Sequence, residues 1–133
     1  MHDIGKRRIP GPIIRKRGAL TDEERELIQG HPVTAFEELC MRHDVTWGSL
    51  MTVYQHHERM DGSGYPMGLV GNEIHEWARM CAVADVFDAM MTDRSYRRAM
   101  RLDDVLEHLE SRAGSEFDRE MVKCWISAIK NKN

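Results

Sequence analysis

Two adjacent histidines, His56 and His57, end an apolar helical pattern at a point where their imidazoles could bind metal ions. The residues before them recur at positions i, i+3, i+4 and i+7, which is one face of an α-helix: Trp47, Leu50, Met51 and Tyr54. His57 continues this face, and His56 lies about 100° from it. A single buried histidine is more often a hydrogen-bonded core residue than a ligand. Two neighbouring imidazoles, with further His and Asp residues elsewhere, favour a metal site.

Other imidazole and carboxylate side chains occur along the chain. His2 and Asp3 form a pair at its start, although such a dipeptide means little alone. His31 precedes a proline at a predicted helix junction, where a surface role and a ligand role are equally compatible with the pattern. Asp85 lies among apolar residues, so its carboxylate needs a partner. A metal is our preferred partner, and a structural salt bridge is the alternative. Mixed nitrogen and oxygen ligands suit iron, manganese or another first-row metal.

Basic and glycine-rich segments lie between these candidates. Residues 6–17 include six lysines and arginines, and residues 93–98 include three further arginines. Both segments could be solvated loops, or they could hold phosphate groups near a metal site. The loop 60–72 contains four glycines, which permit positive φ and close approach of the backbone to a ligand. We interpret this loop as a wall of the site.

The sequence predicts that all the elements that must position these residues are helices. Thr21 and Glu24 form a capping box that opens one of them. Apolar periodicity and caps predict helices at about 22–29, 32–43, 47–59, 74–91 and 102–112, and a last one from about 118. No alternating strand pattern is present, so the sequence predicts an all-α protein.

Length and composition indicate one domain over residues 1–133, because 41% of the residues are hydrophobic and can form a core. The formal net charge of −3 argues against binding of a DNA or RNA polymer. Three widely spaced cysteines without a zinc-binding pattern suggest reduced thiols and a cytoplasmic location. No run of 18 apolar residues occurs, so no membrane span is expected in this chain.

Seven segments together resemble the HD-GYP family, the branch of the HD superfamily that hydrolyses cyclic di-GMP in bacteria. They are HDIGK at 2–6, LTDEE at 20–24, HP at 31–32, HHERMDGSGYP at 56–66, ARMCAVADVFDAM at 78–90, DRSYR at 93–97 and GSEFD at 114–118. The segments at 56–66 and 78–90 are highly specific, whereas HDIGK and HP are weak alone. The resemblance implies an all-α HD-domain helical bundle with a Gly-rich GYP loop. Against the family pattern, the chain lacks the first helices.

The resemblance also implies the site residues. The metal ligands would be His2, Asp3, His31, His56, His57 and Asp85, in a di- or trinuclear centre of iron or manganese. Asp3 would bridge the metals and, with Lys6, act in catalysis. Substrate phosphates would contact Lys6, Arg94 and Arg97. The lip beside the guanine-nucleotide pocket would be formed by Gly64, Tyr65 and Pro66.

The implied activity is metal-dependent hydrolysis of cyclic di-GMP to pGpG, with GMP as a further product in some relatives, as part of second-messenger signalling. Two alternatives stay open. One is a catalytically weak or inactive HD-GYP module that senses cyclic di-GMP or binds another protein, and the truncated start of the chain favours it. The other is a different HD-type nucleotide phosphohydrolase. The resemblance also implies a regulatory domain upstream and is compatible with a homodimer.

Overall fold

The computed structural model describes residues 2–94 and 97–132, and its regular secondary structure is helical. Met1, Ser95, Tyr96 and Asn133 lie outside the described residues, and two of them belong to the segment at 93–97. The helices are α1 (Gly11–Ile14), α2 (Asp22–Gln29), α3 (His31–Leu39), α4 (Trp47–Gln55), α5 (Glu76–Met91), α6 (Leu102–Ser111) and α7 (Arg119–Lys130), with 3₁₀ helices at Ile4–Arg8 and Gly71–Glu73. No β-strand occurs in the two described ranges, which confirms the predicted all-α class.

Local sequence signals explain most helix starts. The Thr21 side chain accepts a hydrogen bond from the Glu24 backbone, and the Glu24 side chain accepts one from the Thr21 backbone, so the predicted capping box is present. The Thr46 hydroxyl caps α4 by accepting a hydrogen bond from the Ser49 N–H. Asp118 caps α7 by accepting hydrogen bonds from the N–H groups of Glu120 and Met121.

Helix α4 ends at Gln55, four residues earlier than its periodicity predicts. In a longer helix, the N–H groups of Met60 and Asp61 would bond to the carbonyls of residues 56 and 57. They bond instead to the carbonyls of Glu116 and Ser115, close to the start of α7. His56 and His57 therefore lie in a turn, not in the helix. Helix α3 is also shorter than predicted and ends at Leu39.

Two apolar clusters share the long helix α5 as their boundary. Helices α3 and α4 form the first, with Ala35, Leu39, Leu50, Met51 and Val53 buried. The second lies between α5, α6 and α7, with Ala82, Val83, Leu106, Leu109, Phe117, Val122 and Ile126 buried. Since α4 and α7 both pack against α5, this helix joins the two halves and carries Asp85 between them.

A buried ion pair fastens α5 to the cap of α7. The Arg79 guanidinium donates to Asp118 Oδ2, while the other carboxylate oxygen caps the helix. Asp118 is 8% exposed. A buried carboxylate with these three donors is well satisfied, whereas removing one partner would leave an uncompensated charge.

Among the helices that residues 2–94 and 97–132 form, none is both long and apolar enough to cross a membrane.

We expect Leu109→Ala to lower the free energy of unfolding by about 2–5 kcal/mol, because it leaves a cavity in a fully buried part of the second cluster. The matched control is Leu27→Ala, since Leu27 is 53% exposed. The control should change stability by less than about 0.5 kcal/mol. Urea unfolding monitored by circular dichroism measures both, and equal effects would contradict this description of the core.

Candidate metal centre

His31 and His56 are held so that their Nε2 atoms face each other. His31 Nδ1 lies 2.6 Å from the carbonyl oxygen of Ile28, and His56 Nδ1 lies 2.9 Å from that of Val53. A carbonyl accepts only, so each Nδ1 must carry a proton, and the Nε2 atom of each neutral ring presents a lone pair. The two Nε2 atoms are 3.4 Å apart, and both rings are almost fully buried. Two facing acceptors cannot bond to each other, so a cation suits the space beside them.

The Asp3 carboxylate approaches the same pair. Its Oδ1 atom lies 3.4 Å from His31 Nε2, 3.8 Å from His56 Nε2 and 2.8 Å from Lys6 Nζ. Burial acts to raise the pKa of Asp3, but the contacts with the two imidazoles and Lys6 outweigh burial and hold this pKa well below its usual range. Asp3 is therefore an anion at neutral pH, and its Oδ1 atom lies beside the Nε2 atoms of both rings.

His57 completes the first group of ligands. Burial lowers the pKa of His57 to about 3, and the neighbouring His56 and His31 act in the same direction. Its imidazole is thus neutral at physiological pH, as a metal ligand must be. His57 Nε2 is buried, and no described residue offers it a hydrogen bond.

A second group of ligands joins the first through Asp3. His2 Nε2 lies 3.6 Å from Asp3 Oδ2 and 3.4 Å from Asp85 Oδ1. The hydrogen bond between His2 and Asp85 raises the pKa of His2 and lowers that of Asp85. Within each group, Asp3–His31–His56–His57 and His2–Asp3–Asp85, the ligand atoms lie within 4.8 Å of one another.

The residues present therefore fit a metal centre. The acceptor pair of His31 and His56, the buried Nε2 of His57 and the Asp3 anion together form a site that a divalent cation would satisfy. All six predicted ligands fall into the two groups, and the Asp3 carboxylate belongs to both.

The short distance from the HD segment to α3 depends on a glycine. An ideal Cβ on Gly5 would lie 2.1 Å from the carbonyl oxygen of His31 and 3.0 Å from the Ala35 backbone nitrogen. Any larger residue would push the 3₁₀ helix, and Asp3 with it, away from His31. Arg8 and Glu38 form a salt bridge of 2.6 Å across the same contact.

The glycine-rich loop folds back against the histidine turn. An ideal Cβ on Gly64 would lie 2.4–2.5 Å from backbone atoms of residues 57–59, so only glycine fits there. The Tyr65 N–H donates to the His57 carbonyl, and the Tyr65 ring stacks on the His57 ring with centroids 4.8 Å apart. Burial raises the pKa of Tyr65 to about 12, so the phenol is protonated at neutral pH. Pro66 follows directly and is partly buried.

Glu58 holds this loop, and we did not identify it from the sequence. Glu58 is 2% exposed, and its carboxylate accepts hydrogen bonds from the N–H groups of Met67 at 2.7 Å and Leu69 at 2.9 Å. A signal was present, because Glu58 follows Met51 and Tyr54 at i+7 and i+4 on the buried face. The two backbone donors could not be predicted, since they come from residues 9 and 11 positions later.

The three predicted phosphate contacts do not share one environment. Lys6 lies beside Asp3, and Lys6 and Arg94 line the same cavity. The Arg97 guanidinium turns away to close the end of α5, donating to the Ala89 carbonyl at 2.7 Å and to Met100 Sδ at 3.3 Å. Arg97 thus has a structural partner already, whereas Arg94 is exposed at the cavity.

Known proteins are similar to this chain in sequence and in fold. The family model of the HD domain matches residues 1–121. A cyclic di-GMP phosphodiesterase response regulator of Xanthomonas campestris pv. campestris is 42% identical over 92% of the chain and 32% of the relative. A cyclic di-GMP phosphodiesterase of Pseudomonas aeruginosa is 36% identical over 97% of the chain and 31% of the relative. The chain thus spans about a third of the length of these curated relatives.

A crystal structure of a cyclic GMP-AMP-specific phosphodiesterase from Vibrio cholerae has a similar fold. It superposes with a TM-score of 0.67 at 20% identity, over 84% of this chain and 26% of the other. At this identity, the likeness concerns the fold, and it supports the predicted HD-type helical bundle.

We expect Gly64→Ala to separate Tyr65 from His57 and to lower the free energy of unfolding by about 1–3 kcal/mol, because the added methyl group collides with rigid backbone. Gly18→Ala is the matched control, since no atom lies within 4 Å of its ideal Cβ. The loss of nuclear Overhauser contacts between the Tyr65 and His57 rings is the measurement. Retained contacts in the Gly64 variant would refute the role of this glycine.

Proposed function

The chain belongs to the HD-domain family, and from this premise we propose that it is a metal-dependent phosphodiesterase that hydrolyses cyclic di-GMP. The first product would be linear pGpG, and hydrolysis of the second phosphodiester bond would yield GMP. The observation that carries the proposal is the shared carboxylate of Asp3, which belongs to both groups of ligands. The names of the relatives supply the substrate, since two of them are cyclic di-GMP phosphodiesterases.

We assign the centre to His2, Asp3, His31, His56, His57 and Asp85, and the metal to iron or manganese in a di- or trinuclear arrangement. Four imidazoles with two carboxylates form a nitrogen-rich mixed set, which suits these metals better than magnesium or calcium. When bound, a pair of such cations supplies Lewis acidity that activates water and stabilises the attacking and leaving oxygens of an in-line displacement.

The chain itself supplies orientation and charge. The carbonyls of Ile28 and Val53 fix the tautomers of the neutral His31 and His56 rings, so that Nε2 is the nitrogen of each ring that would bind a metal. Lys6 holds the Asp3 carboxylate and can donate its remaining N–H groups to a phosphate oxygen beside the cluster. Tyr65, protonated at neutral pH, can donate to a sugar or phosphate oxygen from the opposite side.

The wider setting of the activity is also a proposal. We propose one domain over residues 1–133, working with a signal-receiving domain, because one relative is named a response regulator. Three free cysteines support the prediction of a reducing, cytoplasmic environment. Dimerisation stays a prediction from the resemblance.

We expect His57→Ala to weaken the binding of iron or manganese by at least about 10- to 100-fold, because loss of a residue that only supports a ligand already costs this much and His57 is a buried neutral candidate ligand itself. His43→Ala is the control, since His43 is exposed and lies outside both groups. Elemental analysis after dialysis against a weak chelator compares the two variants. Equal metal content would remove His57 from the centre.

We expect Arg94→Ala to lower kcat/KM for cyclic di-GMP by about 10- to 150-fold with the metal content unchanged, as the loss of a charge-assisted hydrogen bond predicts. Arg101→Ala is the control, because Arg101 is exposed and pairs weakly with Asp103 at 3.9 Å. Formation of pGpG measured by chromatography tests this assignment.

The same assay tests the function as a whole. Metal-loaded chain that binds cyclic di-GMP without forming pGpG would favour the alternative of a sensing module. Unchanged turnover in the Arg94 variant would instead leave the enzyme assignment intact and remove only Arg94 from the substrate contacts.

A further inference from the structure

A cavity of about 450 Å³ lies beside the metal centre, between the basic amino-terminal segment and α2. Its aliphatic wall combines residues from the 3₁₀ helix end, α1 and α2, namely Ile9, Ile13, Ile14, Leu20 and Ile28. Its cationic rim comes from Lys6, Lys16, Arg17 and Arg94. Cavities of this size hold small organic ligands, which are mostly gripped by apolar walls and oriented by a few polar groups.

Two residues tie this cavity to the metal centre. Lys6 lines the cavity, and its Nζ atom lies 2.8 Å from Asp3 Oδ1. Ile28 also lines the cavity, and its carbonyl oxygen holds His31 Nδ1. Lys6 therefore lies between the metal centre and the cavity, so a ligand with its phosphate at the centre could extend past Lys6 to the aliphatic wall.

The charge of the rim selects anionic ligands. None of the described residues that line the cavity is acidic. Lys16 is paired with Glu24 at 2.6 Å, just behind the rim. Arg17 and Arg94 are exposed at the rim, and the described part of the chain shows no salt bridge to either.

We propose that this cavity binds a purine nucleotide unit of the substrate and that Arg17 selects guanine over adenine there. The inference rests on the proposed function for the presence of a cyclic dinucleotide. The base would lie against the aliphatic wall, with its phosphate near Lys6 and Arg94. Tyr65, on the His57 side of the cluster, does not line the cavity, so the two nucleotide units of one ligand would have separate places.

The chemistry of the purine edge gives the selectivity. Guanine presents the two acceptors O6 and N7 side by side, which match the paired N–H groups of a guanidinium. Adenine presents a donor, its N6 amino group, in place of O6, and this group opposes the same guanidinium. A good bidentate pair of this kind discriminates by about 5- to 150-fold between right and wrong bases.

Binding of uncleavable analogues tests the selectivity directly. The probes are phosphorothioate analogues of cyclic di-GMP and cyclic di-AMP, measured by equilibrium dialysis with the metal-loaded chain. We expect the parent to prefer the guanine analogue by about 5- to 150-fold and Arg17→Ala to bring the ratio of the two Kd values close to one. Arg15→Ala should keep the parental ratio, because the Arg15 guanidinium packs on Gly11 and does not line the cavity.

A second variant tests the cavity itself. Ile14→Trp fills the space without changing charge, and its folding risk is small because Ile14 is 48% exposed. We expect this variant to bind the guanine analogue about tenfold more weakly, or worse. Leu27→Trp is the matched control, since Leu27 is 53% exposed and lies outside the cavity.

The outcomes separate this inference from the proposed function. Hydrolysis of bis(p-nitrophenyl) phosphate, which has no base, reports on the metal centre alone. Intact hydrolysis with unaltered analogue binding in the Arg17 and Ile14 variants would overturn the inference and spare the function. If the chain does not hydrolyse this substrate but the variants change analogue binding as expected, the proposed function would be overturned and the inference about the cavity would stand. An equal loss of selectivity in the Arg15 and Arg17 variants would also overturn the inference, because it would indicate a general charge effect.

Discussion

The structure depends on two hydrogen bonds that point imidazoles inward. The Ile28 and Val53 carbonyls accept hydrogen bonds from Nδ1 of His31 and His56, so the Nε2 atoms of both rings are turned toward the Asp3 carboxylate. Each carbonyl belongs to the last turn of a helix, where backbone acceptors have no partner within the helix. The ends of α2 and α4 therefore supply the orientation, and a cation held by the two rings would offset the cost of burying their Nε2 atoms.

A second buried polar group, the Glu58 carboxylate, holds the loop that closes the site. The Glu58 carboxylate is buried and bonds to two backbone N–H groups, so it ties residues 67–69 to the histidine turn. Gly64 then packs directly on the backbone of this turn and brings Tyr65 onto the His57 ring. An unpaired carboxylate at this depth would cost several kcal/mol, so the loop and the turn stabilise each other. Ligand positions and loop position are thereby coupled.

Periodicity and capping were sufficient to predict α2 to α7 but not all of their ends. The capping box at Thr21 and the apolar faces of α5, α6 and α7 are local features, and the predictions made from them are confirmed. Helix α4 was predicted to run to Arg59, which was wrong, because the N–H groups of residues 60 and 61 find acceptors at residues 115 and 116. The basic segment was interpreted as a loop, yet it contains a 3₁₀ helix and α1. The isoleucines of this segment, Ile9, Ile13 and Ile14, line the cavity, and the sequence analysis assigned them no role.

The sequence by itself determined the helical class, the family and the six residues that could bind metal, because these depend on residue types, local spacing and motif order. Only the tertiary structure decided which of them meet, since α3 packs against α4 and against the 3₁₀ helix at Ile4–Arg8, and α4 packs against α5. It likewise separated the arginines, turning Arg97 to the Ala89 carbonyl and leaving Arg94 at the cavity. The direction of a side chain depends on partners that are distant in sequence, and no local pattern contains them.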